Sequence, residues 1–187
     1  MNLKMSTTAV AAMSVLIALG AVARIGLGRI AIVAPTEAYG ILIKIGLTET
    51  LAFICGFVFG PIQGFMTGAL IIVISDLLML PGPWTPCIGA IIGIFGIGGG
   101  MTRRLFGNPS RNMLVASSLT LTALSEFLQN LWFALFFGIP VVVAFTMAIP
   151  TAATALINNT ILFTTVGSKT IKLMLEKLSQ GAEPSKG

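Results

Sequence analysis

Ionisable side chains stand inside apolar runs of this chain at three positions, Glu49, Asp76 and Glu126. A charged group at membrane depth costs roughly 2.5 to 3.5 kcal/mol unless it is paired or faces water, so each of them needs a partner or a function. Amide side chains accompany them in the same or the following run: Gln129, Asn130, Asn158 and Asn159. In this setting such groups suit hydrogen bonding to a polar ligand or the relay of protons.

Helical spacing collects these polar residues on two faces. On one predicted helix the face holds Thr122, Glu126, Gln129 and Asn130, and on the next it holds Thr151, Thr154, Asn158 and Thr165. Because a short Gly-Ile-Pro turn at 138–140 joins the two helices, we predict antiparallel neighbours whose polar faces converge on one outward-facing pocket. The alternative is that these groups only form hydrogen bonds between helices, as polar side chains in membranes often do.

Further candidates lie toward the predicted outer mouth of this pocket. Asp76 ends an apolar helix there, and the basic residues Arg24, Arg29 and Lys44 could attract or neutralise an anionic group. The rings of Trp84, Trp132 and Tyr39 could stack on a ligand ring. The alternatives are that Arg24 snorkels to the interface and that the aromatic residues form an interfacial belt.

Several kinds of chemistry are excluded by what the sequence lacks. The chain has no histidine, which removes the commonest metal ligand and general base, so we expect neither a metal site nor an enzyme. Cys55 and Cys87 lack a C-x-x-C spacing and are predicted to be packing residues. No G-x-x-x-x-G-K-[ST] phosphate loop occurs, so the chain cannot hydrolyse ATP by itself and no cofactor is expected.

Composition places these residues in a membrane protein. Of the 187 residues, 56% are hydrophobic and 9% are charged, and the mean hydropathy is +0.99. Since backbone amides in a bilayer must be satisfied within each span, we predict an all-α, polytopic fold in a single integral membrane domain. The predicted spans are residues 7–23, 41–59, 62–80, 85–101, 112–137 and 141–166.

Charges in the connecting segments predict the orientation. With the N-terminus inside, eight basic residues fall on the cytoplasmic side and three fall outside, which favours both termini in the cytoplasm. The net charge of +5 is therefore interpreted as topology, and no nucleic-acid partner is expected. Residues 168–179 are predicted to form a cytoplasmic amphipathic helix. The segment 26–40 is predicted to be a lid-like loop over the outer face.

Glycine recurs at every fourth position between Glu49 and Pro86, the stretch that Gly60-Pro61 interrupts. Proline lacks an amide donor and disturbs the preceding turn, so two spans meeting at Gly60-Pro61 explain the sequence better than one long helix. Small residues four apart allow helices to approach closely. Most of these glycines are predicted to pack within the protein, and some of them could form a smooth surface for another membrane subunit.

The sequence resembles the substrate-binding S-components of energy-coupling factor (ECF) transporters, which take up vitamins and related micronutrients in prokaryotes. The resemblance covers nearly the whole chain, and its most family-like part runs from Ala52 to Asp76, with a Gly-Pro-x-x-Gly turn followed by Asp76. It implies that helices four to six and external loops build the ligand pocket. It also implies that helices one to three face a membrane coupling subunit, which two cytoplasmic ATPase subunits energise.

On that basis we predict two sets of site residues. Contacts to the coupling subunit are assigned to Ser14, Ala18, Gly64 and Gly68, although Ser14 replaces the first alanine of the usual Ala-x-x-x-Ala pattern. The predicted ligand-binding residues are Glu126, Gln129, Asn130, Asn158, Trp84, Trp132, Arg29, Tyr39 and Asp76.

Two functions remain open at this point. The leading hypothesis is a non-enzymatic, high-affinity binding subunit for a small organic micronutrient, located in the plasma membrane of a prokaryote. The alternative is a stand-alone proton-coupled transporter or facilitator that uses Glu49, Asp76 or Glu126 as a relay. An intramembrane enzyme is disfavoured because the chain offers no histidine and no paired catalytic aspartates within a helix.

Overall fold

A computed structural model describes the backbone of residues 7–33 and 45–180 and the side chains of residues 7–26 and 45–179. These ranges are helical and contain no strand, which confirms the all-α prediction for them. The helices are α1 (Thr7–Val33), α2 (Leu47–Phe59), α3 (Pro61–Met79), α4 (Trp84–Phe106), α5 (Arg111–Phe137), α6 (Val141–Leu162) and α7 (Ser168–Gln180). A π-helical turn, Phe163–Gly167, joins α6 to α7.

Three predicted boundaries differ from the structure by five residues or more. Helix α2 begins at Leu47 rather than at residue 41, and the described residues 45–46 before it are not helical. Helix α1 continues to Val33, so the first half of the predicted loop at 26–40 is helical. The sequence there contains glycine but no proline before Pro35, and glycine alone costs a helix only about 1 kcal/mol. The rest of that predicted loop, including Tyr39, lies outside the described residues. Helix α4 continues five residues beyond Met101, to Phe106.

The predicted turn at Gly60-Pro61 is confirmed. Gly60 has φ +120°, a conformation that favours glycine, and its N–H donates to the carbonyl of Gly56 at 2.9 Å. Pro61 opens α3, where its missing N–H costs no helical hydrogen bond. The second predicted turn is confirmed as well, because Gly138 ends α5 in the left-handed region and α6 begins three residues later.

Glycines bring the backbones of α2, α3 and α4 into direct contact. A Cβ added to Gly96 would lie 2.0 Å from the carbonyl carbon of Gly64, and one added to Gly56 would lie 1.8 Å from the carbonyl oxygen of Gly96. We call Gly56, Gly64 and Gly96 the glycine junction. Gly68 belongs to the same interface, since a Cβ there would lie 2.8 Å from the carbonyl oxygen of Ile92. The three helices therefore pack more closely than side chains would allow.

Helix α7 continues the path of α6 without a break and packs against the bundle. Buried residues recur at intervals of four along this path: Asn159, Phe163, Gly167 and Ile171. A regular α-helix of 3.6 residues per turn would rotate such a series away from the core, whereas the wider π-turn keeps it in line. The predicted amphipathic helix at 168–179 is therefore present, but Ile171 is fully buried rather than only interfacial.

Aromatic and aliphatic side chains from α2, α4 and this continuous helix form the core. The ring of Phe163 lies 4.6 Å from that of Phe53 and 6.3 Å from that of Phe95, measured between centroids. All three rings are buried. The core thus ties the C-terminal helix to the glycine-rich helices.

Length and hydropathy identify four helices that could cross a membrane: Thr7–Gly26, Pro61–Met79, Trp84–Phe106 and Val141–Ser179. Helix α2 is apolar but only 13 residues long, about 20 Å. Helix α5 is long enough, but its Ser, Thr, Glu, Gln and Asn residues lower its hydropathy. The apolar helices indicate a membrane-embedded protein, and the six-span topology with both termini inside remains a prediction.

Candidate functional site

Asp76 lies in a buried ion pair rather than open to a pocket. Its side chain is almost completely buried, and one oxygen accepts a hydrogen bond from the guanidinium of Arg24 on α1. The other oxygen accepts from the Thr85 hydroxyl of α4 at 2.6 Å. The same Arg24 nitrogen donates to the Ser75 hydroxyl at 2.6 Å. We call Arg24, Ser75, Asp76 and Thr85 the Asp76 cluster.

The Asp76 cluster has an evident structural role. It joins α1, α3 and α4 near one end of the bundle, and the opposite charges of Arg24 and Asp76 compensate each other there. Both carboxylate oxygens are engaged by protein donors, so a ligand contact by Asp76 would require breaking this arrangement. Arg24 thus pairs with an acid instead of attracting an external anion.

A second polar group spans α5 and α6. The Asn159 amide nitrogen donates to the Thr122 hydroxyl at 2.8 Å, and the Ser118 and Thr160 hydroxyls lie 3.4 Å apart. We call these four residues the polar layer. Ser118, Thr122 and Asn159 are all buried, so the layer lies inside the bundle and fixes α5 against α6.

One atom of the polar layer has no hydrogen-bonding partner among the described residues. The Asn159 side chain is 2% exposed, and its Oδ1 accepts no hydrogen bond from them. This oxygen lies against Gly46, the residue before α2, so closely that a Cβ on Gly46 would come within 1.2 Å of it. A buried acceptor without a donor costs about 1 to 3 kcal/mol. Helix α2 thus begins beside an unsatisfied oxygen in the interior.

The predicted ligand-binding face of α5 continues from the polar layer toward Gly138. Glu126 is 7% exposed, one turn beyond Thr122. Gln129 donates to the Ser125 hydroxyl at 2.7 Å, and the Asn130 amide donates to the Glu126 backbone carbonyl at 2.7 Å. Both amides are half-buried and bonded within α5. This face therefore presents the Glu126 carboxylate next to the polar layer and the two amides closer to Gly138.

The two tryptophans that were predicted to stack on a ligand ring lie against other groups of the protein. The ring of Trp132 stacks on Phe136, with centroids 4.9 Å apart and planes inclined by 16°. The ring of Trp84 lies over Gly82, where a Cβ would come within 2.4 Å of it. Both tryptophans are half-buried. The side chain of Arg29 and the whole of Tyr39 lie outside the described residues.

The sequence predicted Asn158 as a ligand-binding residue, whereas the structure places its neighbour Asn159 at the interface between α5 and α6. Asn158 is half-buried, whereas Asn159 continues a buried face of α6 that holds Ala144, Ala148 and Ala155. A face of small residues at helical spacing is the one that packs on a neighbour. That alanine series was the signal that could have identified Asn159.

The four residues predicted to contact a coupling subunit divide into two pairs. Ser14 and Ala18 are exposed on α1, as a contact surface requires. Gly64 and Gly68 are buried between helices, which differs from the prediction. Their missing side chains serve the close approach of α3 to α2 and α4.

No group of three or more His, Cys, Asp or Glu side chains in the described ranges is arranged to hold a metal ion. Comparison of the chain with protein-family models, curated proteins and solved structures finds no match. The function is therefore inferred from the geometry of the two polar groups and the α5 face.

Proposed function

We propose that the chain is a membrane subunit that binds a small organic micronutrient, in the manner of the S-components that its sequence resembles. The observation that carries this proposal is the buried Asn159 Oδ1, which has no donor among the residues that the structure describes. A ligand that donates an N–H or O–H group to this oxygen would recover a hydrogen bond in a medium of low polarity, where such bonds are strong.

The surrounding groups define the kind of ligand. The carboxylate of Glu126 stands one turn from Thr122 on the same face and adds hydrogen-bond acceptors. Arg24 is committed to Asp76, and Arg103 donates to the carbonyls of Phe57 and Val58. The favoured ligand is a small molecule that carries an N–H or O–H donor for the Asn159 Oδ1.

Binding at Asn159 would involve the start of α2. Gly46 covers Oδ1, and the Gly46 carbonyl accepts hydrogen bonds from the backbone N–H and the hydroxyl of Thr50, at 3.0 and 2.8 Å. A ligand reaches this oxygen only if the first turn of α2 moves away from α6. Ligand occupancy and the position of α2 would then be linked.

A coupling subunit would supply the energy for uptake, because the sequence contains no nucleotide-binding motif of its own. Helix α1 offers the surface for it, with small residues at Thr7, Ala11, Ser14 and Ala18 recurring on an exposed face. Small side chains permit close helix contact within a bilayer. Gly64 and Gly68 are not part of this proposed surface.

Asn159→Leu tests the proposal at its central residue. We expect the affinity for the bound molecule to fall about 10-fold or more, because one buried hydrogen bond is lost. The molecule is first identified by mass spectrometry of a solvent extract of the purified protein, and its affinity is then measured by calorimetry. Asn112→Leu, at an exposed position of α5, is the matched control and should bind as the unchanged protein does.

A purely structural Asn159 predicts a different result. In that case Asn159→Leu would lower the melting temperature and leave the affinity of the folded protein unchanged. Because Asn159→Leu removes the hydrogen bond to Thr122 as well as the unsatisfied oxygen, the affinity of the folded protein, and not its melting temperature, decides between the two roles. If no molecule co-purifies and no vitamin in a panel binds, the proposed function itself is wrong.

A transport measurement distinguishes a stand-alone carrier from the proposed binding subunit. Glu126 lies buried in α5 and Glu49 in the first turn of α2, which keeps a proton relay open as the second candidate. Protein reconstituted alone in vesicles should bind the ligand without accumulating it. Accumulation that is abolished by dissipating the proton gradient would favour the carrier.

A further inference from the structure

A groove opens between the last turns of α4 and the first half of α5, at the opposite end of these helices from the Asp76 cluster. Its volume is about 300 Å³. Its walls are formed mainly by Met101, Leu105, Phe106, Ala116, Thr120 and Leu121. Met101, Leu105 and Phe106 are each more than half exposed, so the groove faces the surroundings of the bundle.

Two of the three hydroxyls in the groove wall already have partners. The Thr102 hydroxyl donates to the Gly98 carbonyl at 2.7 Å and lies 3.3 Å from the Ser117 hydroxyl. What the groove offers to an occupant is therefore mainly apolar surface. In a membrane such a surface accepts a hydrocarbon chain.

Two basic residues lie near the groove along the chain, one on each side of the 107–110 turn. Arg104 lies in the last turn of α4 and Arg111 begins α5, and both are exposed. Their neighbour Arg103 points the other way and donates to the Phe57 and Val58 carbonyls at the end of α2. Two exposed arginines therefore begin and end the helices that the 107–110 turn connects, within a few residues of groove-lining Leu105 and Phe106.

We propose that this groove binds an anionic phospholipid, with one acyl chain between α4 and α5 and the phosphate against Arg104 and Arg111. Guanidinium groups bind phosphate through paired, charge-assisted hydrogen bonds, and basic sites between membrane helices are suited to anionic headgroups. The volume favours a chain over a protein helix. A helix about 10 Å wide would fill the groove over only about 4 Å of its length.

The test compares lipids and charge variants in a neutral detergent. Added phosphatidylglycerol should raise the melting temperature of the unchanged protein by about 3 °C or more, whereas phosphatidylcholine should not. The double variant Arg104→Gln/Arg111→Gln should lose this rise. Lys169→Gln/Lys172→Gln removes two exposed charges from α7 and should retain it.

A second pair of variants tests the acyl chain. Ala116→Phe fills the groove without changing any charge, and Ala153→Phe places the same ring on an exposed position of α6. Native mass spectrometry should show loss of the retained lipid in Ala116→Phe and not in Ala153→Phe.

Three results would overturn the lipid site. They are an equal rise with phosphatidylcholine, an equal loss of the rise in the lysine variant, and full lipid retention in Ala116→Phe. None of these measurements depends on the micronutrient, so the lipid site and the proposed function succeed or fail separately.

Discussion

At the scale of single residues, the acids of the chain have different environments. Asp76 is held by Arg24 and Thr85, while Glu126 lies on a face whose other polar groups are amides and hydroxyls. The Asp76 carboxylate therefore stabilises the fold, and Glu126 lies on the face that we propose binds the ligand. The sequence alone could not separate them, because partners on other helices are set by packing.

Asp76→Leu should destabilise the protein by about 3 kcal/mol, since it leaves the Arg24 charge without its partner. This value is at the lower end for buried pairs because the Arg24 side chain is 26% exposed. The measurement is the melting temperature in detergent. The double variant Arg24→Leu/Asp76→Leu should recover most of the loss, because it leaves no unpaired charge.

If the double variant is no more stable than Asp76→Leu, the ion pair does not carry the stability of this region. Micronutrient binding by the folded double variant should remain intact, which separates the Asp76 cluster from the site around Asn159. Loss of binding in that variant would support the prediction from the sequence that Asp76 contacts the ligand.

At the scale of helices, the sequence was sufficient to predict the turns that the chemistry of neighbouring residues determines. The turns at Gly60 and Gly138 follow from glycine's access to positive φ and from the proline after each, and both were predicted. The extension of α1 to Val33 was missed because glycines there suggested a loop. Asn159 rather than Asn158 takes the buried position on α6, because it continues the alanine face that packs on a neighbouring helix.

The residues of the glycine junction should tolerate no side chain. Gly96→Ala places a Cβ 2.0 Å from the Gly64 backbone, which α3 can relieve only by moving away. We expect a loss of about 3 kcal/mol or more, at the upper end of overpacking effects. Thermal unfolding in detergent measures the loss.

Gly26→Ala is the matched control for this substitution. Gly26 lies within α1, where an added Cβ would meet nothing within 4 Å. Alanine there should stabilise the helix by about 0.5 to 1 kcal/mol. Equal stability of the two variants would show that the close contact between α3 and α4 does not exist.

At the scale of the whole molecule, topology remains to be measured. The turn between α3 and α4 and the turn between α4 and α5 lie at opposite ends of α4. In a background of Cys55→Ala/Cys87→Ala, Leu80→Cys should react with an impermeant maleimide on intact cells. Asn108→Cys and Ser179→Cys should react only after permeabilisation, because basic residues gather at their end.

Labelling of both Asn108→Cys and Ser179→Cys on intact cells would show that the orientation is the reverse of the predicted one. Labelling of only one of them from outside would contradict the six-span arrangement itself. Either result would leave the interior contacts unchanged, because those depend on packing and not on which face is cytoplasmic.

The continuous helix Val141–Ser179 spans 39 residues, about 60 Å, which is twice the thickness of a bilayer core. Asn159 stands at its middle and Lys177 near its end. Because Phe163 and Ile171 are buried between these two points, this half of the helix is packed against the bundle. A displacement of the helix at Asn159 would therefore have to be accommodated by the packing as far as its basic end.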